Sequence, residues 1–329
     1  MSKKNLLRMN SMKREIANIG QVMFSRGGSK SAFVEIVSKL NLRPPVVIKP
    51  NWSSSTLFTE AEIIDWTLSA LDCEKIVVES YAHYRSPIFR DHEGPFTEEL
   101  QKRLDAQKKR NLRENDRWFL EFSGIKEVLR KHGVEYLNLS EELWFKKVCE
   151  PDEIRKSVES RFSPVRSDIL LSMVPTRLYD LREGTLLSLA KPKIAHGTIG
   201  VTLSIKNLFG MIATPYRGKF HGLNDSKLND SIVDINKICH SLFDVRGIVE
   251  AVFTTTGSED FLGRSNVYRD LGFIWGSDNI FELDAAITTQ LGLDIADVGH
   301  LALAAQTFTQ WSRMTVESAK KHPISLSKK

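Results

Sequence analysis

The stretch "PPVVIKPNWSSSTLFTEAEIIDWTLSALDCEKIVVES", Pro44–Ser80, decides the fold class. "VVIK" is a short run of β-branched residues, and "KIVVES", Lys75–Ser80, is a second. Between them, "TEAEIIDWTLSAL" carries Thr59 and Glu62 at capping-box spacing, and Ile63, Trp66 and Leu71 can share one helical face. Strand, helix and strand in this order form a β-α-β unit. Such a unit implies neighbouring parallel strands joined by a right-handed crossover.

The alternation continues outward. A charged helical region runs from about Phe96 to His132, and "GVEYLNLS" and "SDILLSMVP" (Ser167–Pro175) read as further strands. The second half carries "IGVTLSI" and then the loop "GMIATPYRGKFHGLND". A helix follows from about Asn229 to Phe243, with Asp230 able to cap it, and then the strand "GIVEAVFTTT". "LGFIWGSDNIFELDAAITTQLG" reads strand, turn, helix, with Ser277 or Asp278 as N-cap and Gly292 as the stop. Asp294 to Gln306 reads as a final helix. The expected class is α/β, with mostly parallel sheets flanked by helices. Two α/β halves, residues 1–165 and 166–329, would leave a cleft between them, and a single domain is the alternative.

At 329 residues, 41% hydrophobic and 26% charged, the chain can bury a substantial core. No apolar run approaches the length of a membrane span, so no membrane partner is expected. The basic N-terminus lacks the apolar core of a secretory signal. Cys73, Cys149 and Cys239 lie far apart with no C-x-x-C pair. That argues against a disulfide framework or an iron–sulphur cluster and favours a cytoplasmic location. The net charge of +5 favours an anionic partner. A small anionic molecule is the first reading, and nucleic acid is the weaker one, because no recognition motif for it is present. His-x-x-x-His, His-Glu-x-x-His, the dinucleotide fingerprint and the P-loop are all missing, so no metal site is expected and no cofactor is assigned.

In an open α/β sheet, ligands bind beyond the carboxyl ends of the strands. The polar residues that follow apolar runs are therefore the candidates. Lys49, Asn51, Lys193, Asn207 and Asp278 are expected to bind substrate, and His196, Lys206, His221 and His83 to carry catalysis. Cations suit an anionic substrate, and imidazoles move protons near neutral pH. A partly buried lysine holds an anion or, with a lowered pKa, acts as a nucleophile. His196 ranks above His83 because Lys193 and Lys206 flank it in sequence. Lys206 and Asn207 are expected to end a strand and face the cleft. Plainer readings stand beside these: an exposed strand end for Lys49, solvated loops for the histidines, and a helix cap for Asp278.

"KPKIAHGTIGVTLSIKNLFGMI", Lys191–Ile212, with Lys49-Pro50-Asn51 upstream and His221 and Asp234 downstream, resembles the domain-of-unknown-function family 362. The late Asp278 and Asp284 match the start of a helix in that family. Two features depart from it. The cysteine-rich ferredoxin-like segment of many members is missing, and "TTTGSEDFLGR" stands where a Glu-Gly-x-Gly-Pro loop is usual. A fainter similarity is to the nickel-pincer lactate racemase group, through the order His196, Lys206, His221. Together these imply an uncharacterised enzyme acting on a small carboxylate or phosphate, by proton transfer or isomerisation. A redox-accessory protein without its cluster is the alternative.

Overall fold

Hydrophobic burial on both faces of one sheet organises the chain. The computed structural model describes residues 16–92, 97–194, 200–256, 266–308 and 311–325. Ten strands are present among them: β1 (Ala17–Ile19), β2 (Val22–Ser25), β3 (Val46–Pro50), β4 (Lys75–Glu79), β5 (Glu135–Asn138), β6 (Thr185–Ala190), β7 (Lys193–Ile194), β8 (Val201–Thr202), β9 (Asp244–Thr256) and β10 (Asn266–Ser277). Eight of them form a sheet of order β1-β2-β10-β9-β6-β3-β4-β5, while β7 and β8 pair separately. The strands from β9 through β6, β3 and β4 to β5 are parallel, and β10, β2 and β1 add an antiparallel edge. The fold is α/β. Strands from both sides of residue 165 share the sheet, with β6 lying between β3 and β9.

Alternation along the strands divides the core. Val46, Ile48, Val77, Leu187 and Leu189 pack against Phe33, Ile36, Ile63, Trp66 and Leu129, from the helices Lys30–Lys39, Ala61–Ala70 and Ile125–His132. Val47, Ile76, Val78, Leu186 and Val249 point the other way, towards the helices Leu228–Leu242 and Ile280–Gln290. No helix among the described residues is long and apolar enough to cross a membrane.

Several local expectations need correction. "SDILLSMVP" forms no strand of the sheet: Asp168–Met173 is a 3-10 helix, started by the Leu170 N–H donating to Ser167 O at 3.0 Å. The central strand there is instead "TLLSLA" at 185–190, buried throughout. Thr59 does not cap the following helix. It accepts from the Asn51 N–H at 2.9 Å, and Glu60 occupies the cap position. Asn279, rather than Ser277 or Asp278, caps the helix at Ile280, accepting from the N–H groups of Phe281 and Glu282. The helix at 228 has Lys227 at its cap position, and Asp230 pairs with Arg166. The last expected helix divides into a 3-10 turn, Ile295–Asp297, and the helix Gly299–Thr307.

Lys206 and Asn207 do not end a strand. They close a one-turn helix, Ser204–Asn207, that follows the two-residue β8. Asp284 makes this turn possible: its carboxylate accepts from the Ser204 N–H at 2.9 Å and the Ile205 N–H at 2.8 Å, satisfying otherwise orphaned donors.

Asp284→Ala should therefore cost about 2–4 kcal/mol in chemical denaturation, since two buried N–H groups lose their acceptor. Burial pushes the Asp284 carboxyl up to about 7, against the pull of those two bonds. The folded state thus binds its proton more tightly than the unfolded state does. This contribution is fully present at low pH and is lost as pH rises through about 7. Asp284→Asn keeps one acceptor oxygen. It should cost less than Ala and flatten the stability profile between about pH 4 and pH 7. An unchanged profile would show that Asp284 does not set it.

Candidate active site

Beyond the carboxyl ends of β3 and β4 lies a cavity of about 640 Å³. Lys49 and Asn51 reach it from the end of β3, and Glu79 from the end of β4. Lys206, Asn207 and Gly210 reach it from the turn that Asp284 holds. Lys193 and Thr202 come from the β7–β8 pair, His83 and Tyr84 from the loop after β4, Tyr216 and Arg217 from the segment before the helix at 228, and His221 from the one-turn helix Gly218–His221 within it.

The floor is a closed polar network. Lys49 is wholly buried, and its Nζ donates to Glu79 Oε2 at 2.8 Å and to Pro50 O at 2.7 Å. Burial lowers the Lys49 pKa, with Glu79 opposing the shift. Glu79 also accepts from the N–H groups of Trp52 and Ser80. The Asn207 amide donates to Lys49 O at 3.0 Å and to Ser188 Oγ at 3.1 Å, and its oxygen accepts from Asn51 Nδ2 at 3.3 Å. Both Asn207 donors are thereby spent on the protein, so its role is to join strand ends. Gly210 is required for contact: a Cβ there would lie 2.6 Å from Lys49 Nζ.

The walls carry two histidines and two lysines. His83 is buried, and its Nδ1 lies 2.7 Å from Leu104 O. A carbonyl only accepts, so the proton sits on Nδ1. Nε2 is then the acceptor of the neutral ring, and it is buried without a hydrogen-bond partner. His221 Nδ1 lies 2.8 Å from Asp225 Oδ1, and its Nε2 makes no hydrogen bond among the described residues. Burial lowers the His221 pKa, Asp225 opposes this, and Lys206 reinforces it. Asp225 and the preceding Asn224 both have positive φ, 59° and 50°, a region these two residue types tolerate. Lys193 Nζ is 3.2 Å from Ser53 Oγ, and Lys206 Nζ is 3.1 Å from Thr202 Oγ1.

Of the residues singled out from sequence, Lys49, Asn51, His83, Lys193, Lys206, Asn207 and His221 line this cavity. His196 lies outside the described residues. Asp278 is not part of the lining: its half-exposed carboxylate accepts from the Asn41 N–H at 3.1 Å and sits 3.3 Å from Arg246 Nε. Sequence reasoning missed Arg217 and Asp225. Asp225 stands four residues after His221, a relation that carries meaning only once the local backbone is known. Among the described residues, no group of three or more His, Cys, Asp or Glu side chains could hold a metal ion.

The chain belongs to the domain of unknown function 362 (DUF362) family, whose family model matches residues 46–289. The match spans every strand from β3 to β10 and most of the cavity's chemistry, Lys49 to His221. No curated protein and no solved structure matches the chain, and the similarity to the nickel-pincer lactate racemase group finds no support there.

Gly210→Ala should displace Lys49 from its ion pair with Glu79 and cost about 1–3 kcal/mol in thermal or chemical unfolding. A wild-type unfolding curve would show that the lysine relaxes freely and that the glycine has another purpose.

Proposed function

We propose that the protein is an enzyme that binds a small anionic molecule, a carboxylate or a phosphate, in this cavity and moves a proton on it. One observation carries the reading. Two histidines line one cavity, each with Nδ1 tied to an oxygen and Nε2 left as an acceptor. That is the arrangement a general base needs. Lys193 and Lys206 supply positive charge in the same walls.

In this reading, His221 or His83 takes a proton from a carbon next to a carboxylate. The C–H bond breaks, an N–H bond forms, and the electron pair moves onto the carboxylate as an enediolate. Lys206 and Lys193 stabilise that charge in a largely buried site. Asp225 favours the imidazolium formed on His221. Returning the proton to the same or another carbon completes an isomerisation that needs no oxidant or reductant.

The test is exchange of carbon-bound hydrogen in D2O, followed by proton NMR over a panel of 2-hydroxy acids. At least one acid should lose its C–H signal in a protein-dependent way. His83→Gln and His221→Gln should each slow that exchange by about a hundredfold or more. His196→Gln belongs in the series, because His196 lies in sequence between Lys193 and Thr202, two lining residues. Binding of an acid without any exchange would make the protein a non-catalytic anion binder.

The pH profile gives a further check. The lowered pKa keeps the base form of His221 populated at about pH 6.5, where an ordinary imidazole is half protonated. Exchange should therefore keep more than half of its plateau rate at that pH and fall at lower pH. A rate that already halves well above it would assign the limiting base elsewhere.

A further inference from the structure

Arg217 is the least explained charge in the cavity wall. Its Nη2 donates to Ser80 Oγ, Tyr81 O and Gly210 O, all of them neutral. No carboxylate lies within ion-pair distance of it among the described residues. Its Nε is buried with no acceptor, and Nη1 makes no hydrogen bond among those residues. Desolvation lowers its pKa to about 10, with the Glu79 carboxylate opposing the shift and Arg85 adding to it. A part-buried guanidinium that meets no carboxylate at ion-pair distance keeps Nη1 able to donate to an oxyanion in the cavity.

The neighbouring residue poses a second question. The Tyr216 side chain belongs to the cavity lining, yet the residue is 44% exposed. It touches the His83 ring edge-on at 5.2 Å, and its hydroxyl reaches Gln107 O at 3.4 Å. Tyr84 and Phe89, paired edge to face at 5.2 Å, line the same space. The volume of about 640 Å³ lies in the range of pockets for drug-sized ligands and exceeds the needs of a three-carbon acid.

We propose that the ligand of this cavity is an oxyanion carried on an aromatic ring, with Arg217 receiving the oxyanion and Tyr216 and Tyr84 the ring. This rests on the anionic-substrate reading above and narrows it. Rings prefer the offset and edge-to-face partners that such a wall provides, and the gain adds to the area buried. An aliphatic acid of the same charge would leave that wall in water.

The test is isothermal titration calorimetry on the full chain with two matched pairs, phenylpyruvate against pyruvate and phenyl phosphate against methyl phosphate. The pairs separate the carboxylate from the phosphate head group. In at least one pair the aromatic member should bind about tenfold or more tightly than its partner. Tyr216→Ala should remove most of that advantage, weakening the aromatic member far more than the aliphatic one. Arg217→Gln should weaken both members by about tenfold or more. Because Arg217 also holds Ser80 and Gly210, Arg217→Lys is measured beside it and should restore part of the affinity by keeping the charge. Equal affinity within both pairs overturns the ring assignment and leaves the anionic reading standing. Unchanged affinity in a folded Arg217→Gln overturns the arginine assignment. Failure of all four compounds to bind sinks this proposal together with the anionic reading.

Discussion

The side-chain amide of Asn207 is the bond on which the site depends. It donates to the backbone oxygen of Lys49 at the end of β3 and to Ser188 in the middle of β6. A serine in a central, fully buried strand is a liability unless its hydroxyl is paired. Ser188 accepts from Asn207 and donates to Ser204 O at 3.1 Å. The turn at 204–210 and the sheet therefore satisfy each other. Remove the amide and Ser188, the end of β3 and Asn51 all lose a partner at once. Asp284 holds the other side of the same turn, through the backbone N–H groups of Ser204 and Ile205.

This interlock gives the two short motifs a common physical meaning. Lys49-Pro50-Asn51 and Lys206-Asn207-x-x-Gly210 are two halves of one hydrogen-bonded floor. Gly210 lets Lys49 and Glu79 lie against the backbone, and its carbonyl accepts from Ser80. The Lys49–Glu79 pair is buried on both sides, with side-chain exposure of 2% and 3%. Breaking such a pair by removing one partner leaves an uncompensated buried charge, so either truncation is severe. A second buried set, Lys191 between Glu60 and Glu250 at 2.7 and 2.6 Å, ties the helix after β3 to β9. Burial raises the pKa of the Glu250 carboxyl, against the pull of Lys191.

Periodicity made the β-α-β unit at Pro44–Ser80 legible, because strand and helix there differ in their repeat. It failed at two apolar runs. "DILLSM" and "TLLSLA" both mix leucines with one serine, and nothing local tells a 3-10 turn from a central strand. The difference is tertiary: Ser188 has Asn207 and Ser204 as partners, whereas Ser172 donates to Ile169 O within its own turn. The candidate site was legible where polar residues follow apolar runs, as at Lys49, Asn51 and Lys206. Arg217 and Asp225 sit in a loop whose path is fixed by long-range contacts, such as Tyr216 to Gln107 O, and no spacing announces them.

The polar groups of the cavity fall into two sets that differ in what they still lack. Lys49, Glu79 and Asn207 have their partners among the protein's own atoms, and Asn51 is bonded to Asn207 and Ser53. His83 Nε2 and Arg217 Nε are buried without partners, and His221 Nε2 is left open by the bond to Asp225. Unpaired buried polar atoms cost stability and are rare in a relaxed fold. Such atoms also occur away from the cavity, as at His240 and His300, but His83 and Arg217 share the cavity with His221 above a paired floor. The same division separates what the motifs do, which is to hold the floor rigid, from what chemistry requires, which is a wall of titratable and charged groups on the cavity.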